Sequence, residues 1–138
     1  MPKYMTKITP ATSAVLVIDM TNGFMDPNAP NYVEGGRQMA PELSKFLTQC
    51  RAAGIKIFYT SLEYRADKAN MNHIVRLFQE KHGEHLISGG HDTEVYDVCA
   101  PMEGETIIRR DNYSAFNATN LDHLLRYNGI DLIAITGV

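Results

Sequence analysis

Four short apolar runs restrict the folds open to this chain of 138 residues more than any other feature. Each run holds four or five residues, and the runs are mostly rich in β-branched side chains without polar alternation. Such runs are typical of strands that are buried on both faces of a sheet. They lie at residues 14–18, 55–59, 105–108 and 132–135.

Segments with helical spacing separate these runs. In the first segment Pro41 is a good first-turn residue and Gly54 ends the pattern, and the apolar stripe consists of Leu43, Phe46, Leu47 and Cys50. Residues 73–81 and 119–127 carry similar stripes, and Thr119 or Asn120 can cap the last segment. Strands that alternate with helices at this pace predict βαβ crossovers and a parallel sheet in one α/β domain.

Composition excludes several classes of function. Lys and Arg (13) are outnumbered by Asp and Glu (16), and they form no basic stripe, so no nucleic-acid partner is expected. No apolar run approaches the roughly 18–20 residues of a membrane span. Residues 1–7 contain no apolar stretch typical of a signal peptide, and the two cysteines form no disulfide framework. We therefore expect a cytoplasmic protein that binds neither membrane nor nucleic acid.

The last apolar run leads into Gly137 and Val138 without a following helix to cover the sheet. Ligands of open parallel sheets bind outside the carboxyl ends of the strands, where this run ends. We therefore expect residues 1–138 to be the larger part of a single domain whose C-terminal part follows Val138.

Asp19 follows the first run directly. A carboxylate at the tip of a buried strand is partly desolvated, which raises its pKa and allows it to act as a general base near neutral pH. An aspartate that only caps the next loop is the alternative reading. The long loops between residues 61 and 104, of the kind that usually cover a site, favour a ligand at this edge.

Three motifs extend the argument beyond Asp19. They are Leu16-Val17-Ile18-Asp19-Met20-Thr21-Asn22-Gly23-Phe24, then Tyr113-Ser114-Ala115-Phe116, then Gly129-Ile130-Asp131 running into Ile135-Thr136-Gly137-Val138. In this order and at this spacing they resemble the isochorismatase-like hydrolases, also called the cysteine hydrolase family. The resemblance implies a Rossmann-like three-layer α/β/α fold with a parallel sheet. It also implies hydrolysis of a small amide, carbamoyl or urea-type C–N bond, and residues 102–108 are similar to the biuret and ureidoacrylate branch.

The resemblance further implies a catalytic triad of Asp, Lys and Cys. Asp19 would be the base that activates the thiol, and the thiolate would attack the substrate carbonyl. The family's lysine position falls on Arg110, which keeps the charge but cannot release a proton. A surface arginine paired with Asp111 is the alternative. The family's cysteine lies a few residues past Val138, and Cys50 and Cys99 are interpreted as packed structural thiols.

The remaining predictions concern ligands and partners. Phe24, Tyr64 and Tyr113 are candidates to line a pocket for a small-molecule substrate, although each could equally pack the rim of the core, and Phe116 is expected in the core. Residues 60–65 lack the Asp-x-His pair with which nicotinamidases hold a metal, and the spacing of residues 82–85 matches no metal motif. No metal and no cofactor is predicted. Members of the family commonly form dimers or tetramers, so a homo-oligomer is expected.

Two other functions stay open at this point. Hydrolysis of the vinyl ether of isochorismate needs an acid but no cysteine, so Asp19 would be sufficient. A catalytically inactive member that serves as a binding subunit is favoured by Arg110 in the lysine position.

Overall fold

The computed structural model describes residues 8–138 and contains one parallel sheet in the order β3-β2-β1-β4. The strands are β1 (Ser13–Ile18), β2 (Lys56–Leu62), β3 (Thr106–Arg110) and β4 (Leu132–Gly137), which confirms the strands predicted from the four apolar runs. The chain adds β2 and β3 on one side of β1 and then returns to add β4 on the other. This reversal creates a crevice at the carboxyl end of β1, where open α/β sheets bind ligands.

Helices α1 (Asn22–Met25), α2 (Gly36–Ala52), α3 (His73–His82) and α4 (Leu121–Tyr127) connect the strands. The prediction that the first long helix begins at Pro41 is wrong, because α2 begins at Gly36 and contains Pro41 in its interior. Gly36 and Ala40 are both buried. Their burial extends the apolar stripe toward the N-terminus and offsets the hydrogen bond that proline cannot donate.

The sheet is packed between helices on both faces. On one face Leu43, Leu47 and Cys50 of α2 pack with Val15 and Val17 of β1. On the other face Leu121 and Leu125 of α4 pack with Leu16 of β1 and Phe58 of β2. Neighbouring residues of β1 therefore point into different cores, which is why its sequence is apolar throughout. The result is the three-layer α/β/α arrangement.

The carboxyl ends of β1 and β4 approach each other closely at Gly137. This residue has a φ of 114°, and a Cβ atom added to it would lie 2.1 Å from the carbonyl oxygen of Ile18. The next residue, Val138, donates its backbone N–H to that same oxygen at 3.1 Å. Only glycine fits this contact, which holds the end of β4 beside the residue that precedes Asp19.

Phe116 and the N-terminal residues differ from the rest of the chain in how they bear on the sequence predictions. Phe116 is 46% exposed, so its predicted place in the core is wrong; it lies in the loop before α4, and Ala115 is the residue of that motif that is buried. The prediction about a signal peptide concerns residues 1–7, which lie outside the described residues. Within residues 8–138 no helix is long and apolar enough to cross a membrane.

Candidate active site

Asp19 occupies a sharp turn at the carboxyl end of β1. Its φ is 47°, in the left-handed region that aspartate tolerates better than most residues. Its carbonyl oxygen accepts the N–H of Thr21 at 2.7 Å, and the side chain is buried. Backbone conformations of this kind cost about 1–3 kcal/mol and concentrate at functional sites.

Residues from two neighbouring strands hold the carboxylate of Asp19. Thr60 on β2 donates its hydroxyl to Oδ1 at 2.8 Å, and the same hydroxyl oxygen accepts the Asp19 N–H at 3.2 Å. Arg110 on β3 donates from Nη2 to Oδ2 and forms an ion pair with it. Side chains alternate along a strand, so Thr60 lies on the same face of the sheet as Phe58, and Arg110 lies on the same face as Ile108. Phe58 and Ile108 belong to one core, so Thr60 and Arg110 lie on the same side of the sheet. Strand register thus brings three polar side chains together from three adjacent strands.

Burial controls the chemistry of this cluster. Burial raises the pKa of the Asp19 carboxyl above its usual range, although the Arg110 guanidinium and the Thr60 hydroxyl both act to lower it. A carboxylate with a raised pKa is a stronger base and can accept a proton near neutral pH. The arrangement therefore suits a general base whose orientation is fixed from two sides.

Arg110 is not the surface arginine that the alternative reading described. It is 7% exposed, its Nη1 donates to the carbonyl oxygen of Asn112, and its ion-pair partner is Asp19 rather than Asp111. Its Nε has no hydrogen-bond partner among residues 8–138. The guanidinium is thus committed to the interior of the site, where it balances the charge of Asp19.

A second buried carboxylate follows β2. Glu63, directly after β2, is 5% exposed, and its Oε1 accepts a hydrogen bond from Nη1 of Arg109 at 2.6 Å. Its backbone N–H donates to the carbonyl oxygen of Arg110 at 2.9 Å. Arg109 and Arg110 are consecutive on β3, so their side chains leave the strand on opposite faces and serve two different acids.

The three aromatic candidates line one cavity. Phe24, Tyr64 and Tyr113 enclose a space of about 250 Å³ together with Leu62. The backbone of Leu62, which lines the cavity, acts to lower the pKa of Asp19, so the cavity adjoins the base. Tyr64 is buried and Tyr113 is 93% exposed, which assigns one to the wall and the other to the mouth. Burial raises the pKa of Tyr64, so its hydroxyl stays protonated near neutral pH.

Both cysteines are buried away from this cluster. Cys50 packs in the core under α2, and Cys99 is 2% exposed in the short turn Asp97–Cys99. Burial raises the pKa of both thiols, that of Cys99 to about 11. A thiol with so high a pKa is a poor nucleophile near neutral pH. Their predicted packing is confirmed.

Within the part of the chain that the structure describes, no three His, Cys, Asp or Glu side chains are grouped as metal ligands would be. The His82 ring instead packs against Phe78, with ring centroids 4.4 Å apart.

Sequence reasoning missed Thr60 and Glu63. The second strand was predicted to end at residue 59, whereas β2 continues to Leu62 and carries Thr60 to the carboxyl edge of the sheet. Polar residues that follow a buried run without a turn signal could have indicated this extension. The partner of Glu63, in contrast, depends on strand register, which the sequence does not encode locally.

Comparison with known proteins agrees with the geometry. The family model described as the isochorismatase domain matches residues 13–138. N-carbamoylsarcosine amidase of an Arthrobacter species is 31% identical over 126 residues, which cover 90% of this chain and 48% of the amidase. Ureidoacrylate amidohydrolase RutB of Agrobacterium fabrum is 27% identical over 150 residues, covering 95% of this chain and 65% of that protein. The chain thus spans about half to two thirds of the length of these relatives.

Solved structures of similar proteins share this fold. A cysteine hydrolase from Pseudomonas syringae pv. phaseolicola superimposes with a TM-score of 0.87 at 28% identity, over 100% of this chain and 65% of that one. N-carbamoylsarcosine amidase from Thermoplasma acidophilum superimposes with a TM-score of 0.75 at 27% identity, over 91% of this chain and 67% of that one.

Proposed function

Because this chain belongs to the isochorismatase family, we propose that it hydrolyses a small amide, carbamoyl or urea-type C–N bond. The observation that carries the proposal is the buried cluster of Asp19, Thr60 and Arg110 at the reversal point of the sheet. Relatives named N-carbamoylsarcosine amidase and ureidoacrylate amidohydrolase support a C–N bond as the target.

Asp19 would carry the protons of the reaction. Its carboxylate takes the proton of a cysteine thiol, and the thiolate adds to the substrate carbonyl. When the tetrahedral intermediate collapses, the C–N bond breaks and the leaving nitrogen takes the proton back from Asp19. Asp19 then activates water, which releases the acyl group and returns the proton to the thiol.

Arg110 would orient Asp19 and balance its charge without exchanging protons. A guanidinium stays protonated at any working pH, so it cannot shuttle a proton as an amine could. In this proposal the site therefore has one proton carrier, and the raised pKa of Asp19 suits that task.

The nucleophile would be a cysteine that follows Val138. Cys50 and Cys99 do not suit the role, because both are buried and neither is hydrogen-bonded to Asp19. The Val138 N–H donates to the Ile18 carbonyl oxygen at 3.1 Å, immediately before Asp19 in sequence. Residues shortly after Val138 would therefore begin their path beside the carboxylate.

The test is ammonia release by the full-length protein from N-carbamoylsarcosine, ureidoacrylate and biuret. We expect turnover of at least one compound, with a loss of about 10³-fold or more in Asp19→Asn, since general-base catalysis contributes about 10²–10⁴-fold. Asp122→Asn, on the exposed side of α4, is the matched control and should keep full activity. Release of ammonia from none of these compounds, or full activity in Asp19→Asn, contradicts the proposal.

Treatment with iodoacetamide separates this proposal from vinyl ether hydrolysis. Thiol alkylation should abolish C–N bond cleavage, whereas cleavage of isochorismate by acid catalysis needs no thiol. Isochorismate turnover that survives alkylation would assign the chain to the second reaction.

A further inference from the structure

The imidazole of His85 and the amide of Asn31 interrupt the otherwise apolar and aromatic wall of the cavity beside Asp19. His85 lines this cavity together with Phe78, Leu86 and Tyr64, and it is 8% exposed. The rings of Phe78 and His85 meet edge to face with centroids 5.2 Å apart. A polar ring at such a depth needs hydrogen-bond partners, which makes its two nitrogens informative.

The nitrogens of His85 differ in what they can bind. Nδ1 lies 2.8 Å from the carbonyl oxygen of Gly83, which can only accept, so Nδ1 carries the hydrogen. In the neutral ring the other nitrogen, Nε2, is then an acceptor. No hydrogen bond to Nε2 is found among residues 8–138. The ring thus has one engaged nitrogen and one available to a ligand.

The backbone around His85 is held from several sides. The buried side chain of Gln79 donates to the His85 carbonyl oxygen at 2.9 Å. The Tyr64 N–H donates to the Leu86 carbonyl oxygen at 2.7 Å, and the Leu86 N–H donates to the carboxylate of Asp92. These contacts fix the ring before any ligand arrives, so a hydrogen bond to it costs little reorganisation.

The lining also limits the charge of the group that fits. No lysine or arginine lines this cavity in the described part of the chain, so a carboxylate would enter without a cation. A neutral group with an N–H donor would satisfy Nε2, and its planar faces would contact Phe24, Tyr64 and Phe78.

We propose that His85 is a specificity-determining residue whose Nε2 accepts a hydrogen bond from an N–H on the part of the substrate remote from the bond that breaks. This inference rests on the proposed function and narrows its substrate class to neutral amides and ureas that carry a second N–H donor. Leu62 and Tyr64 connect the two ends of such a molecule, because both residues line the cavity and the Leu62 backbone is close enough to Asp19 to lower its pKa.

The test compares biuret, which has carbamoyl groups on both sides of one N–H, with 1,1-dimethylbiuret, which lacks the N–H donors at one end. Calorimetry with the Asp19→Asn protein measures binding without turnover. We expect biuret to bind about fivefold to tenfold more tightly, the effect of one neutral hydrogen bond. Equal affinity of the two probes, or no binding of either, overturns the inference.

Two variants, each combined with Asp19→Asn, assign the preference to Nε2. His85→Asn keeps an N–H for Gly83 but is too short to place an acceptor at the position of Nε2, so it should abolish the preference for biuret. His85→Gln extends an amide toward the position of Nε2 and should retain part of it. If His85→Asn still binds biuret more tightly than 1,1-dimethylbiuret, this role for His85 is excluded. The role is also excluded if the protein with His85 binds succinamate, which carries a carboxylate, more tightly than biuret.

The two proposals fail separately. If the protein releases ammonia from N-carbamoylsarcosine or ureidoacrylate, but His85→Asn still prefers biuret to 1,1-dimethylbiuret, the proposed function is supported and the role of His85 is refuted. If the preference for biuret depends on His85 but no ammonia is released from any compound, the binding site is supported and the proposed hydrolase activity is refuted.

Discussion

Replacing Arg110 by methionine tests whether the buried ion pair holds the site together. The side chains of Arg110 and Asp19 are 5% and 8% exposed, so the substitution leaves a carboxylate buried without its cation. Removing one partner of such a pair costs about 3–5 kcal/mol, whereas an exposed pair contributes about 0–1 kcal/mol. With an m value of about 2 kcal/mol/M, the urea midpoint should fall by about 1.5–2.5 M.

Arg126→Met is the matched control, because Arg126 pairs with Asp122 on the surface of α4, where both side chains are more than half exposed. The same substitution there should cost under about 0.5 kcal/mol. The double variant Asp19→Asn with Arg110→Met should recover most of the lost stability, since it removes the unpaired charge. A cost near that of the control, or no recovery in the double variant, refutes the reasoning.

The loss of stability in Arg110→Met should also depend on pH. Burial raises the pKa of Asp19 above its ordinary value of 3.8, so the contribution of this group to stability is fully present below that value and is lost as pH rises through the folded pKa. Arg110 acts to lower this pKa, so its removal deepens the loss. The difference between wild type and Arg110→Met should therefore be small in acid and largest at neutral pH.

Three other changes follow from the described contacts. Thr60→Val removes a hydrogen bond that lowers the pKa of Asp19, so kcat/KM should fall about tenfold and the acid limb of its pH profile should move to higher pH. Thr60→Ser keeps the hydroxyl and is the control, and an unchanged pH profile in Thr60→Val contradicts this role of Thr60. Gly137→Ala should lower the free energy of unfolding, measured in urea, by about 3 kcal/mol or more, because the new Cβ would meet the Ile18 carbonyl oxygen. Gly54 has open space around it, so Gly54→Ala is the control and should lower the free energy of unfolding by about 1 kcal/mol. Equal losses in the two variants would show that the close contact at Gly137 does not limit stability. The Cys99 thiol, with a pKa of about 11, should react with Ellman's reagent near neutral pH only after unfolding; rapid reaction of this thiol in the native protein would mean that the turn Asp97–Cys99 opens.

The sequence predicted the strands and the position of Asp19 at the end of β1 because both depend on local patterns. A strand buried on two faces leaves an uninterrupted apolar run, and the residue at its carboxyl end is simply the next one in the chain. Phe24, Tyr64 and Tyr113 were named as separate pocket candidates, and the structure brings them to one cavity. Their role in substrate binding stays a prediction.

Features that depend on pairing between distant residues were beyond this reasoning. The contact of Thr60 with Asp19 follows from strand register rather than from any motif, whereas the family resemblance had already grouped Asp19 with Arg110. The start of α2 was placed too late, because the proline signal outweighed the buried Ala40 in the pattern. Phe116 was expected in the core, but its neighbour Ala115 fills that position.

The doubled sequence Ile107-Ile108-Arg109-Arg110 gives β3 an uneven tolerance to changes in the length of the loop before it. An insertion of one residue that shifts the register would replace Ile108 by Ile107 in one core and Arg110 by Arg109 opposite Asp19, although Ile108 would then take the place of Arg109 beside Glu63. A deletion of one residue would instead bring Asp111 against Asp19, and two buried carboxylates repel each other. Loop variants before β3 should therefore accumulate as insertions, and a library of lengths at residues 100–105 would show that bias.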